Sequence, residues 1–390
     1  MSDLLTPWRA PTPWRAVAAV FTLNGVLLGA WASRVPAVTA RFGLGESGLG
    51  LLLLAMGIGA LISFPLAGRL SDRHGAVRVT RWITAVYLVS IVIVGAAPSV
   101  PALALALFGF GMCHGAMDVA MNSWATEVEA RMGRSVMSSF HAMWSLGAGL
   151  GTAGGFVAAS LDSPTGLHFL LTSVVTGLVF GPFLRLDWTS RRQVRGGGHP
   201  VFAFPRGALL GVGLIALAAG LGEGAAVDWS AIFLSDVLGA PQSRATLGYA
   251  VFSATMVAMR LCADGLITRF GARHMAVASG VTAGLGYLLC ALAPALPVAL
   301  SGFVLMGIGY AAVVPLAFTR AAADPRVPPG QAIASVATLG YGSMLLGPPA
   351  IGLIAEATSL RFSFLLIAGF ALLIAALSPV LDAGRRAAPA

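Results

Sequence analysis

The stretch CHGAMDVAMNSW, residues 113–124, places His114, Asp118 and Asn122 at four-residue intervals. On a helix that spacing puts all three on one face. An imidazole, a carboxylate and a carboxamide on one face can pass protons or hold solute hydroxyls. A second histidine, His141, follows in SSFHAMWSLG (138–147), and a second acid, Glu223, opens EGAAVDWSAIFLSD (223–236) ahead of Asp228 and Trp229. Asn24, Trp31 and Arg34 recur in NGVLLGAWASRVPAV (24–38). Each of these polar residues interrupts an apolar run.

The runs define the medium. Of 390 residues, 57% are hydrophobic and 10% charged, and the mean hydropathy is +0.86. Soluble domains carry roughly 25% charged residues, so the solvent for most of this surface is lipid. Glycine, 49 of 390, suits close helix packing in a bilayer. An ionisable group in hydrocarbon costs several kcal/mol, roughly 2.5–3.5 on insertion scales, unless it faces protein or water. The few acids and histidines inside the spans are therefore candidates for function.

Twelve apolar runs are long enough to cross a bilayer: 15–35, 47–70, 79–97, 101–124, 136–160, 165–186, 207–234, 245–267, 274–293, 297–320, 331–356 and 361–381. With the N-terminus inside, only Arg34, Arg41, Arg244 and Arg361 of the 24 basic residues fall outside. That asymmetry places both termini in the cytoplasm. The first residues, with no small-residue cleavage site, read as a short tail rather than a signal peptide. The polar break 187–206, DWTSRRQVRGGGHPVFAFPR, divides residues 1–186 from 207–390, six spans each. At a shift of 198 residues Trp31 falls on Trp229, and Gly109 and Gly111 fall on Gly307 and Gly309. Duplicated halves are a transporter signature.

Several classes are excluded. All basic residues are arginine, so a P-loop and a lysine Schiff base are ruled out. The net charge of +9 is scattered over short loops, which does not fit nucleic-acid binding. Cys113, Cys262 and Cys290 stand alone, without metal-ligand spacing. No cofactor or metal is expected. The string Gly45-Glu46-Ser47-Gly48 matches the GxSG of intramembrane serine proteases, but Ser47 falls where span two begins and reads as a helix cap. An enzyme is not expected.

Depth along the helices suggests one pairing. Counted from Trp124, Asp118 lies ~9 Å above the inner end of span four, and His141 lies ~8 Å above it on span five. A pair at that depth lowers the burial cost of both and suits proton exchange; a structural clasp is the alternative. Arg260, one turn from Asp264, is expected to pair with it.

Between spans two and three the chain reads GRLSDRHGAVR, Gly68 to Arg78. This resembles the signature loop of the major facilitator superfamily: a glycine, then aspartate–arginine, then a second glycine and basic residues. Ala76 and Val77 depart from it, with Arg78 and Arg81 nearby. DGLITRFGAR, from Asp264, resembles a degenerate second copy, with Thr268 in place of Asp72. Over almost the whole chain the sequence is similar to a bacterial branch of that superfamily associated with rhizopine transport.

The resemblance implies an all-α membrane protein, twelve helices in two six-helix bundles, working by alternating access. It further implies that Gly68, Asp72, Arg73 and Gly75, with Glu127 as acidic partner, gate the inner side. The expected solute is small and polar, sugar- or cyclitol-like. It is carried by a monomer in the bacterial inner membrane, with the proton as coupling ion. The alternative is a proton-driven exporter of a drug or metabolite.

Overall fold

The computed structural model describes residues 12–44, 46–192, 205–241, 244 and 247–382. The expected linker lies largely outside that set, as does Gly45 of the GxSG string. The described residues fold into twelve membrane helices: α1 Pro13–Phe42, α2 Glu46–His74, α3 Ala76–Ala96, α4 Val100–Met132, α5 Met137–Ser160, α6 Thr165–Phe180, α7 Ala208–Ile232, α8 Leu247–Phe270, α9 Ala272–Leu292, a broken α10 (Leu296–Tyr310 and Val313–Ala322), α11 Pro329–Ala357 and α12 Leu360–Leu377. Eleven are long and apolar enough to cross a membrane on those criteria alone. The exception is α5, whose first turns, MSSFHAMWS, carry the polar residues noted above. In a bilayer, helices satisfy their backbone groups within the segment, and among the described residues every regular element is helical, with short 3-10 turns at Gly181–Arg185 and Ser378–Leu381 and a π-helical turn at Phe233–Val237. Ser47 lies in the first turn of α2.

The chain forms two compact units, Met1–Met132 with Phe140–Gly198, and His199–Ala390 with the short stretch Gly133–Ser139.

In the first unit, glycine sets how closely helices approach. A Cβ added to Gly25 or Gly29 of α1 would lie 2.1 Å from the carbonyl oxygen of Trp144 or Ala148 on α5, respectively, and one on Gly147 would lie 2.2 Å from that of Thr22. The two backbones therefore touch, and no side chain larger than hydrogen fits between them. The turn after α2 needs glycine for a different reason. Gly75 has φ +90° and Gly271, between α8 and α9, has φ +83°, a region that only glycine enters without strain. The two half-chains repeat this turn.

Three arginines placed on the outer side by the charge count have local structural work. Arg41 donates to the carbonyls of Gly95 (3.3 Å) and Ala97 (2.9 Å), closing the end of α3. Arg361 does the same for α9 through Ala291 (2.6 Å) and Ala293 (2.9 Å). Arg34 reaches Ser163 O at 2.6 Å, in the turn before α6. A cation on orphan helix-end carbonyls is favourable.

In the second unit α10 breaks at Ala311–Ala312, both buried. The cause lies in Pro315, which has no N–H for the carbonyl four residues back and whose ring crowds it. That carbonyl is Ala311 O, and Arg260 Nε of α8 donates to it at 3.4 Å.

Candidate functional site

In the first unit the polar face of α4 is buried: Asp118 is 4% exposed and His114 8%. His114 Nδ1 lies 2.8 Å from Asn24 Oδ1 on α1 and 3.1 Å from Tyr87 Oη on α3. Asn24 Nδ2 in turn contacts Met121 Sδ at 3.5 Å. An amide oxygen only accepts, so the imidazole proton sits on Nδ1 and Nε2 keeps its lone pair. The histidine is thereby fixed in one tautomer, with Nε2 as the nitrogen able to take a proton or a hydroxyl hydrogen bond.

One turn along α4, Asn122 Nδ2 donates to Asp118 O (2.8 Å) and to Asp118 Oδ1 (3.3 Å). His141 of α5 is buried in the same unit and meets Phe21 edge-on, ring centroids 5.4 Å apart. Trp31 is buried against Phe169 at 6.4 Å. Arg34 also lies 3.5 Å from Thr165 Oγ1.

The signature loop is placed at the ends of α2 and α3. Gly68 lies near the end of α2, Asp72 is buried in its last turn, Arg73 is exposed, and Gly75 makes the turn. Glu127, near the end of α4, accepts from Trp188 Nε1 at 2.8 Å, and Arg131 lies over the Trp188 ring at 5.1 Å. Trp188 was not foreseen from the sequence.

In the second unit Glu223 sits on α7, its Oε2 3.7 Å from Arg260 Nη2. This corrects the expected Arg260–Asp264 pairing. Asp264 instead accepts from the backbone N–H groups of Ser138 (2.9 Å) and Ser139 (2.8 Å), inside the stretch Gly133–Ser139 that clusters with this unit. A carboxylate on two orphan helix N–H groups gains more than a one-turn ion pair on a helix face. Around Glu223, Tyr287 Oη donates to Gly222 O at 2.5 Å. Tyr310 Oη packs so tightly on Gly222 that a Cβ there would lie 2.0 Å from it. Asp228 is exposed, and Trp229 covers Gly352, where a Cβ would lie 3.2 Å from the indole.

A twelve-helix membrane protein with a signature loop between its second and third helices and polar residues buried in its spans can be compared directly with known families. The sequence profile of the Major Facilitator Superfamily matches residues 16–325 and again 212–389. The chain belongs to the major facilitator superfamily. The overlapping second match fits a fold of two related bundles, and the chain is a membrane transporter of that superfamily, not an enzyme. It is 59% identical over 373 residues to an uncharacterized transporter of Sinorhizobium fredii, covering 96% of this chain and 99% of that one. It is 32% identical to the membrane protein MosC of Rhizobium meliloti, over 96% of this chain and 91% of that one. Among solved structures it resembles the fucose:proton symporter FucP of E. coli, TM-score 0.77 at 15% identity, covering 95% of this chain and 98% of that one. At that identity the likeness speaks for the fold.

Proposed function

We propose that this major facilitator is a proton-coupled carrier that moves a small polar solute across the bacterial inner membrane by alternating access. In this reading it acts as a monomer with both termini in the cytoplasm. The observation that supports the reading best is the Asn24–His114–Tyr87 network, with Asp118 one turn along α4. Three helices spend buried polar groups on holding one imidazole in one tautomer. Structural packing alone is served as well by apolar side chains, so the arrangement fits a group that must present Nε2 to a ligand or proton. The solved fucose:proton symporter of the same fold lends the reading plausibility.

In this account Asp118 and His141 share a proton, Glu223 carries a second ionisable site, and Asn24, Trp31, Asn122, Asp228 and Trp229 supply solute contacts. Gly68, Asp72, Arg73, Gly75 and Glu127 serve the inner gate, and Arg34 the outer closure.

The test is a thermal-stability screen of the purified protein against sugars, cyclitols, polyols and hydroxy acids, followed by flux in proteoliposomes under an imposed pH gradient. A solute that stabilises the protein and accumulates with the gradient supports the proposal. Accumulation indifferent to the pH gradient contradicts it.

A further inference from the structure

A cavity of about 380 Å3 lies between α1, α5 and α6 of the first unit, and no residue of the Asn24–His114–Tyr87 network lines it. We propose that an anionic phospholipid of the surrounding bilayer binds there, its phosphate at His168 and one acyl chain along α6.

The polar end of the cavity is His168, in the first turn of α6. Its ring is 6% exposed, and among the described residues neither Nδ1 nor Nε2 has a hydrogen-bond partner. A neutral imidazole brings one N–H donor and one acceptor. Buried polar atoms are as a rule bonded, so an idle pair on a cavity wall points to a partner from outside the chain. The wall opposite leaves room for one. Gly154 of α5 lines the cavity, and a Cβ added there would meet nothing nearer than His168 Nε2, at 3.9 Å.

The charge beside the ring is positive. Arg34 of α1 is 5% exposed and close enough for its charge to act on His168. Its Nη2 is used on Ser163 O and Thr165 Oγ1, while Nε is buried without a partner. Neutral oxygens do not cancel a guanidinium charge, and among the described residues of this unit no carboxylate pairs with it. Asp162, next to Ser163, is exposed and does not pair with Arg34. An anion at His168 therefore meets an N–H donor with an uncompensated cation behind it.

Away from His168 the cavity turns apolar and opens sideways. Leu150, Leu171, Val175 and Val179 line it, each half or more exposed, and on a membrane helix such surface meets acyl chains. From His168 to Phe180, α6 rises ~18 Å, against ~15 Å for one leaflet of the hydrocarbon core. A chain hung from a phosphate at His168 thus finds wall for its whole length. Thr172 lines the same face one turn along, ~6 Å deeper, and its hydroxyl has no hydrogen bond among the described residues. It stands at the level where ester carbonyls follow the phosphate in a glycerophospholipid. A soluble anion would leave the apolar length empty, and an uncharged lipid would leave Arg34 uncompensated.

The test uses the full chain in detergent and native mass spectrometry. The probes are phosphatidylglycerol, phosphatidylcholine and diacylglycerol with the same acyl chains, and glycerol 3-phosphate as a head without chains. One phosphatidylglycerol should be retained per protein, about tenfold more tightly than the other two lipids, as a charged hydrogen bond warrants, and glycerol 3-phosphate should not compete. His168→Leu should weaken retention by about tenfold on the same grounds. His168→Asn, which keeps a donor and an acceptor, should retain most of it. Gly154→Leu should fill the cavity beside the ring and exclude the lipid. Thermal melting identifies any variant that fails to fold, in which case the other decides. Retention indifferent to the head group, or unchanged in a folded His168→Leu or Gly154→Leu, overturns the inference. Displacement by glycerol 3-phosphate overturns it too, since the site would then serve a soluble anion. The readout is lipid retention, so a failure here leaves the carrier reading standing.

Discussion

His114 Nδ1 lies 2.8 Å from the side-chain oxygen of Asn24, ninety residues earlier in the chain. The contact joins α4 to α1 and settles the tautomer of the only histidine on the polar face of α4. If that fixed Nε2 serves the solute, its support matters as much as the ring. Asn24→Leu should weaken solute binding by about two- to tenfold, the range for one neutral hydrogen bond, while the thermal midpoint without ligand changes little. Tyr87→Phe should have a smaller effect in the same direction. Isothermal titration with the solute found in the stability screen measures both, and an affinity unchanged in Asn24→Leu would reduce the network to packing.

Asp118 separates proton coupling from solute binding. Asp118→Asn should abolish accumulation driven by a pH gradient and leave counterflow exchange intact, because exchange needs no net proton movement. His141→Ala should shift the pH dependence of uptake, since two interacting sites titrate together. Persistent accumulation in Asp118→Asn would make the stripe a helix clasp and leave Glu223 as the leading proton carrier.

Asp264 holds two backbone N–H groups, those of Ser138 and Ser139. Asp264→Ala should lower stability by ~1–2 kcal/mol, as loss of a helix N-terminal cap does, and Asp264→Asn by less. Chemical unfolding in detergent reports the difference, and equal stability of Asp264→Ala and the parent would show that the bonds are not retained in solution.

The arginine count predicts the sidedness. A single cysteine at the exposed position 134, between α4 and α5, should resist a membrane-impermeant maleimide in sealed cells and react once the membrane is opened. Rapid labelling in sealed cells would invert the topology.

The spans and the signature loop were legible in the sequence because both are local. Twenty apolar residues announce a crossing whatever surrounds them, and Gly75 is demanded by its own backbone turn. The sites were legible only in part. His114, Asp118 and Glu223 stand out as polar groups in hydrocarbon, but Tyr87 looks like any aromatic in RWITAVYLVS until the fold brings it to His114. Arg260 was misassigned for a related reason. The one-turn rule favoured Asp264, and two tertiary contacts outweighed it: the α5 backbone for the acid and Glu223 for the arginine. The break of α10 had a sequence signal in Pro315, although a proline alone does not say which carbonyl is freed for which partner.

The central claim, that solute movement carries protons, is tested most directly inside proteoliposomes. With a pH-sensitive dye in the lumen and no imposed gradient, the stabilising solute added outside should acidify the lumen of vesicles holding the wild-type protein. Asp118→Asn vesicles should show no change. Solute entry measured in the same vesicles with a constant lumenal pH would contradict the account.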